Sequence, residues 1–504
     1  MTSVIIQFKR YKLNSIVYYM CKEKLVLLSY LLIVFYVFVD ARSIGSGILT
    51  GMSTTFNMND SKQGKTTSSN FLQYNDNNYL VSSFNELNNA IAQVKPGDTI
   101  LMHDGLWKDV NIVFKAKGTE KNPVVLKAHT PGKVIISGLS SLSIQGEYLV
   151  VDGLVFKDGY SPKKLHLIEM RSSHSRLANC AIIKYNKPRS KGSDVWVGLF
   201  GTHNRIDHCF FDGKTSESVM IIAWRYTPTP DFHQIDHNHF MNVPVLGRGG
   251  ATVIRIGDGV QALSASKTVI EANLFENMEG IGKIVSLKSG GNIIRNNTFN
   301  KAAGSICIRM GNENIIEGNF IYSGTRNKHT GGILVIGSDH IIRNNYIQGS
   351  RFEGKAAITL YEGEPNNHPG KGGYYPTKNV LIEGNTLVDN DKNIVIGQYY
   401  DPEKELTIPV ENIKYKDNLI VGNNQIIPLI VNIDPPIGKV EYQNNFFFGG
   451  KMEKLEEIEG IRNANPHLIK KEDGRWYYKE NSSLKRNIKY FPLTAKDVGP
   501  DWMK

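Results

Sequence analysis

Residues Ile270 to Asn319 read IEANLFENMEGIGKIVSLKSGGNIIRNNTFNKAAGSICIRMGNENIIEGN. Two full copies of one short pattern lie in this stretch, at Ile270–Phe275 and Ile294–Phe299, and a third begins at Ile316. The pattern is an apolar residue, two mostly polar residues, Asn, any residue and an apolar residue. Between the copies stand Lys288 and Arg309, 21 residues apart. In a coiled chain with roughly 20–30 residues per turn, that spacing sets two cations on neighbouring rungs. Two adjacent cations suit an acidic ligand.

Outward from this stretch the pattern recurs at Ile235–Phe240, Ile316–Ile321, Ile342–Ile347 and Ile382–Leu387. Weaker copies lie at Tyr415–Ile420 and Tyr442–Phe447, and Ile206–Phe211 has Cys209 in the Asn place. The recurring residues are Asn238, Asn273, Asn297, Asn319, Asn345, Asn385, Asn418 and Asn445, spaced by 22 to 40 residues. A unit this small cannot bury its own core, so successive coils must stack and line a continuous interior. An Asn at one place in each coil can hydrogen-bond the next coil and tolerates the left-handed backbone of a tight turn. The expected fold is all-β, a right-handed parallel β-helix. The longest interval, Asn345 to Asn385, predicts a loop leaving the stack, and Glu362 to Thr377, rich in Gly, Pro and Asn, is its clearest part.

Four segments follow. Residues 1–41 read as a secretory signal: Leu25 to Val39 is apolar, Lys22 and Lys24 precede it, and Val39-Asp40-Ala41 resembles a cleavage site. The apolar run is short for a membrane span, which needs about 20 residues. Residues 42–78, rich in Ser, Thr, Asn, Gly and Asp, read as a disordered linker. Residues 79–450 carry the β-helix, opened by a short helix. Ser83-Phe84-Asn85-Glu86 matches a capping box, and Phe84, Leu87, Ile91 and Val94 keep helical spacing before Lys95-Pro96-Gly97. Residues 451–504 read as a tail over the last coils, with Trp476, Tyr477 and Tyr478 in it.

The formal charge is +11 and falls to +8 without residues 1–41. A basic exported chain meets acidic polysaccharides and membrane surfaces. No clustered basic stripe is present, which argues against nucleic acid, and the mature chain keeps no stable membrane span. Cys21, Cys180, Cys209 and Cys307 show no C-x-x-C spacing, so they predict buried free thiols rather than zinc or disulfides.

From Arg205 to Asn345 the runs IDHCFF, IDHNHF, IRIG, NLFE, VSLKSGGNIIRNNTF, IRMGNENIIEGNF, TGGILVIG and IIRNNYI resemble the polysaccharide-lyase family that contains chondroitinase B and many alginate lyases. KPGDTI and GLWKDVNIVFKAKGTEKNPVVLKA resemble its first coils, so the likeness covers most of residues 80–450. The resemblance implies β-elimination on a uronate polymer. A base takes the C5 proton, charge on the carboxylate is stabilised, and the 4-O-glycosidic bond breaks. At matching positions Lys288 falls on the family's base and Arg309 on its catalytic arginine. A lysine serves as base if neighbours or burial pull its pKa down, and an arginine stays charged. Either residue taken alone on the outside of a β-helix is ordinarily a solvated side chain.

The chain also departs from that family. Two acidic calcium ligands are expected just before the lysine, where Ile281 and Lys283 stand, and an Asn is expected near Arg248-Gly249-Gly250-Ala251. Calcium needs several oxygen ligands, so no cofactor is expected. Lys283 could instead neutralise the substrate carboxylate and depress the pKa of Lys288. Met310 and Leu334 replace a His and an Arg, and Arg255, in IRIG, is a further substrate-binding candidate. His208 and His237, at equivalent places in two repeats, read as a stacked or hydrogen-bonded pair rather than a metal site. The expectation is a secreted or periplasmic lyase, with alginate the first substrate and dermatan sulfate the second. Its alternatives are a non-catalytic binder of acidic polysaccharide and a glycoside hydrolase. The hydrolase would need paired carboxylates that are not seen near Lys288.

Overall fold

The computed structural model describes residues 73–504, apart from 76, 164, 189–192, 247–251, 280–281, 324–329, 352–355, 369–371, 399–400, 402, 404, 423–426, 481 and 483–491. The signal at 1–41, nearly all of the linker at 42–78, and Arg248–Ala251 lie outside the described residues. So does Ile281.

The chain winds as a parallel β-helix, as the repeat predicts. Three long sheets of 15, 14 and 12 described strands run the length of the stack, and each coil gives one strand to each sheet in turn. We call them sheets 1, 2 and 3 in that order. The repeat places Ile235, Ile270, Ile294 and Ile316 in adjacent register on sheet 1. Phe211, Phe240, Phe275 and Phe299 stack on sheet 2 with ring centroids 4.9, 4.9 and 4.6 Å apart. These inward residues belong to one continuous core running from Val81 to Ile461.

The recurring Asn residues form a buried ladder at the corner between sheets 1 and 2. Asn273 gives its backbone N–H and Nδ2 to Oδ1 of Asn297, each at 3.0 Å, and its Nδ2 also reaches the carbonyl of Ile235. The same contacts recur up to Asn445. Cys209 begins the ladder by donating its N–H to Asn238. Backbone strain falls one residue earlier than expected: positive φ belongs to the residue before each rung, including His208, His237, Ala272, Asn296, Asn344 and Asn444. A second ladder was not read from the sequence. Asn292 bonds Asn314, whose N–H donates to Nδ1 of His340, and Asn204 donates likewise to His233.

The N-terminal end is covered by a helix, Phe84–Gln93, capped by Ser83, with Glu86 reaching back to the N–H of Ser82. A short strand, Gln73–Asn75, pairs antiparallel with Asn78–Val81, inside the stretch read as linker. At the other end Ile461–Asn463 adds to sheet 2, and the hairpin Leu468–Lys470/Trp476–Tyr478 packs against Tyr346 and Gln348. The last residues run along the flank, where Trp502 donates to the carbonyl of Asn179. His208 and His237 are stacked at 5.0 Å, each with Nδ1 on the neighbouring Asp207 or Asp236. Cys180, Cys209 and Cys307 are free and buried. Among the described residues no helix is long and apolar enough to cross a membrane.

Candidate active site

The four candidate residues lie on three consecutive strands of sheet 3: Ile254–Ile256, Lys283–Lys288 and Ser305–Met310. In the middle strand Val285 and Leu287 point into the core, which turns Ser286 outward between Arg255 and Cys307. Lys288 and Arg309 therefore sit on neighbouring rungs, as their spacing implies. They are not directly opposite. The register shifts between Leu287 and Lys288, so Lys288 faces Met310 and Arg309 is the extra residue of a β-bulge. Bulges of this kind re-aim a side chain next to a site.

Lys288 is half-buried and its Nζ donates to the carbonyl of Asp258 at 3.2 Å. Its pKa is lowered first by burial, then by the charges of Arg255, Arg309 and Lys283, with Asp258 opposing. The sequence reading named Lys283 as the neighbour that would depress Lys288. Lys283 does contribute, but Arg255 and Arg309 outweigh it. Each such cation penalises a second positive charge and favours the neutral amine.

Arg309 is held by the loop that follows sheet 3 two coils later. Its two terminal nitrogens donate to the carbonyls of Gly373 and Gly372, at 2.5 and 2.6 Å, and its guanidinium carbon lies 4.2 Å from the centroid of Tyr374. The loop is anchored by a small apolar cluster of Cys307, Met310, Leu334, Ile336, Tyr361 and Tyr375. Met310 and Leu334 are thus buried beneath the loop, 2 % and 3 % exposed, so neither position is a sugar-contacting surface in this chain.

Arg255 takes a larger place than its single motif indicated. It lies over the ring of Trp224 at 5.9 Å, and its Nε is buried without an acceptor. Burial lowers its pKa and Asp258 opposes the shift, but a guanidinium stays charged at any ordinary pH. The site therefore brings together a depressed amine, a braced arginine and a second, half-buried arginine. This combination can remove a proton beside a carboxylate and stabilise the charge that forms.

Lys283 brings a cation to one of the places where the family's acidic ligands are expected, and Ile284 and Val285 after it are buried and apolar. The other expected places, Ile281 and Arg248–Ala251, lie outside the described residues. A cavity of about 540 Å³ on another flank, lined by Lys184, Asp212, Asn242 and Glu279 among others, includes none of the four candidates.

The chondroitinase B family model matches residues 81–492. The chain is similar to the PL6 family alginate lyase AlyGC, with 33% identity and a TM-score of 0.77, over 84% of this chain and 58% of that one. It thus spans under two thirds of AlyGC. The PL6 family polysaccharide lyase Pedsa3628 from Pseudopedobacter saltans is 29% identical, with a TM-score of 0.67 over 84% of this chain and 99% of that one. A mannuronic acid specific polysaccharide family 6 lyase from human gut microbiota is 26% identical, with a TM-score of 0.66 over 77% and 90%. No curated protein matches. With a matched region that takes in every coil carrying Arg255, Lys283, Lys288 and Arg309, the chain belongs to the chondroitinase B family.

Proposed function

We propose that the chain is a polysaccharide lyase that cleaves a uronate polymer, alginate first, by β-elimination and without calcium. The observation that carries this reading is the half-buried Lys288 amine, its pKa lowered by burial and by Arg255 and Arg309 on the coils either side. Neutral Lys288 accepts the C5 proton. Electron density moves onto the uronate carboxylate, where Arg255 and Lys283 supply positive charge. The C4–O bond then breaks, the electron pair leaves with the oxygen, and a C4–C5 double bond remains. Arg309, held by the loop carbonyls, stabilises the charge on the leaving oxygen, which takes its proton from the Lys288 ammonium or from water.

Alginate is named first because AlyGC is an alginate lyase and the gut relative is mannuronic acid specific. Burial of Met310 and Leu334 adds to this, since neither position can read a sulfate. Export to the periplasm or beyond rests on residues 1–41. The test is to incubate the purified chain with alginate, dermatan sulfate and pectin in the presence of a chelator and follow absorbance of the unsaturated product. Signal on alginate supports the reading. Binding without product on every polymer would favour the non-catalytic binder, and signal that needs added calcium would remove the role of Lys283.

A further inference from the structure

Upstream of Lys288 the outer edge of sheet 3 carries a connected row of rings and cations. Trp224 and Tyr226 follow the strand Ile221–Ala223, two coils before the strand of Lys288, and Phe200 and Arg171 lie three and four coils before it. Arg171 sits 4.0 Å over the ring of Phe200. Phe200 stacks with Tyr226 at 6.2 Å, Tyr226 with Trp224 at 6.4 Å, and Arg255 lies over Trp224 and neighbours Lys288. Tyr226 is 66% exposed.

The row is built rather than incidental. The indole N–H of Trp224 donates to Nε2 of buried His166 at 3.0 Å, and an indole can only donate. His166 therefore carries its proton on Nδ1 and gives it to Glu169, 3.1 Å away, while Glu169 also accepts from Nε of Arg171. Burial holds His166 below the ordinary histidine range, in keeping with the neutral ring that this pattern needs. One chain of contacts thus sets Arg171 and Trp224 together.

We propose that this ledge is an upstream binding region for the same polyuronate, which it grips two to four coils from the bond that breaks. The proposal deepens the lyase reading and rests on it for the identity of the polymer. Coils are about 4.8 Å tall, so the row from Arg171 to Lys288 spans roughly 19 Å. A pyranose in an extended chain advances about as far as one coil rises, so successive sugars meet successive coils. Arginines at both ends suit carboxylates, and the exposed ring of Tyr226 with half-buried Trp224 beside it suits the apolar faces of sugars, while buried Phe200 supports Arg171 and Tyr226 from beneath. Such a ledge makes affinity depend on chain length.

The test uses the full chain carrying Lys288→Ala, with mannuronate trimer and hexamer as probes in calorimetry. The hexamer should bind at least tenfold more tightly than the trimer. Adding Tyr226→Ala or Arg171→Ala should each remove most of that preference, and Arg171→Lys should keep part of it. His166→Gln, which retains an acceptor for Trp224, should keep the preference that His166→Phe loses. Equal affinity for the two lengths, or a preference untouched by Tyr226→Ala and Arg171→Ala, would overturn the proposal. Binding is read without turnover, so a wild-type chain that makes no unsaturated product counts against the reaction and not against the ledge.

Discussion

Arg309 lies over Tyr374, its guanidinium carbon 4.2 Å from the ring centroid, while the two glycines before that tyrosine accept its terminal N–H groups. The contact joins residues 65 positions apart and makes the loop part of the site. A cation over an aromatic ring contributes about 0.5–2 kcal/mol. Tyr374→Ala is therefore expected to lower kcat roughly tenfold with a smaller change in KM, and Tyr374→Phe to retain most activity. Steady-state kinetics on alginate would show it, and an unchanged kcat in Tyr374→Ala would mean the loop does not brace Arg309.

Lys288 should govern the acid limb of the pH profile. Activity should rise as pH passes upward through its lowered pKa, because the proposed base is the neutral amine. Arg255→Gln removes the cation that contributes most to that lowering, so the pKa rises and the acid limb of kcat/KM moves to higher pH. Lys288→Ala should abolish product. A limb that stays in place in Arg255→Gln would assign it to another group.

Lys283→Ala should reduce kcat/KM about a hundredfold, the scale of losing one charge stabiliser in a preorganised site. Added calcium should not restore it, since on the proposed reading the Lys283 ammonium stands in for that ion. Rescue by calcium, or no loss at all, would contradict the role given to Lys283.

The second ladder should make the fold acid-sensitive. His340 and His233 are fully buried, and burial is the main cause that takes their pKa values down to about 4 and about 3. Each is neutral in the folded chain and binds a proton more readily when unfolded. Stability should therefore be complete above the ordinary histidine pKa of about 6.5 and fall as pH drops below it, towards 4 and then 3. His340→Asn keeps an acceptor for the N–H of Asn314 and cannot charge. Its melting temperature should fall less between pH 7 and pH 5 than that of the parent; an identical fall would exclude His340 as a source.

Asn297→Ala should cost about 3 kcal/mol. It leaves the N–H of Asn273 without its side-chain acceptor and the carbonyl of Ile270 without its side-chain donor, while Nδ2 of Asn273 keeps the carbonyls of Ile235 and Glu271; each buried orphan costs about 1–3 kcal/mol. Chemical denaturation would measure it, and a loss below 1 kcal/mol would mean water replaces the rung.

The first ladder was legible because one residue type, Asn, recurs in one frame with apolar flanks. The second was not, because Asn204, His233, Thr268, Asn292, Asn314 and His340 fill one frame with different acceptors. They stand two residues before each Ile of the repeat, and that fixed offset was the available signal. Lys288 and Arg309 were visible through their spacing. The bulge that offsets them was not, since register depends on pairing and not on residue count. The clasp on Arg309 and the ledge join segments of unequal length with no shared motif, so only the folded chain brings them together.

The Asn ladder fixes one point per coil whatever the length of chain that leaves the stack between one rung and the next. Rungs 22 residues apart and rungs 40 residues apart make the same 3.0 Å contact. Height along the axis is thus counted in turns rather than in amino acids. A loop can lengthen, shorten or be exchanged for another without shifting Lys288 relative to Arg309. Loops of any length can then wall a groove while the rungs of Lys288 and Arg309 hold their places.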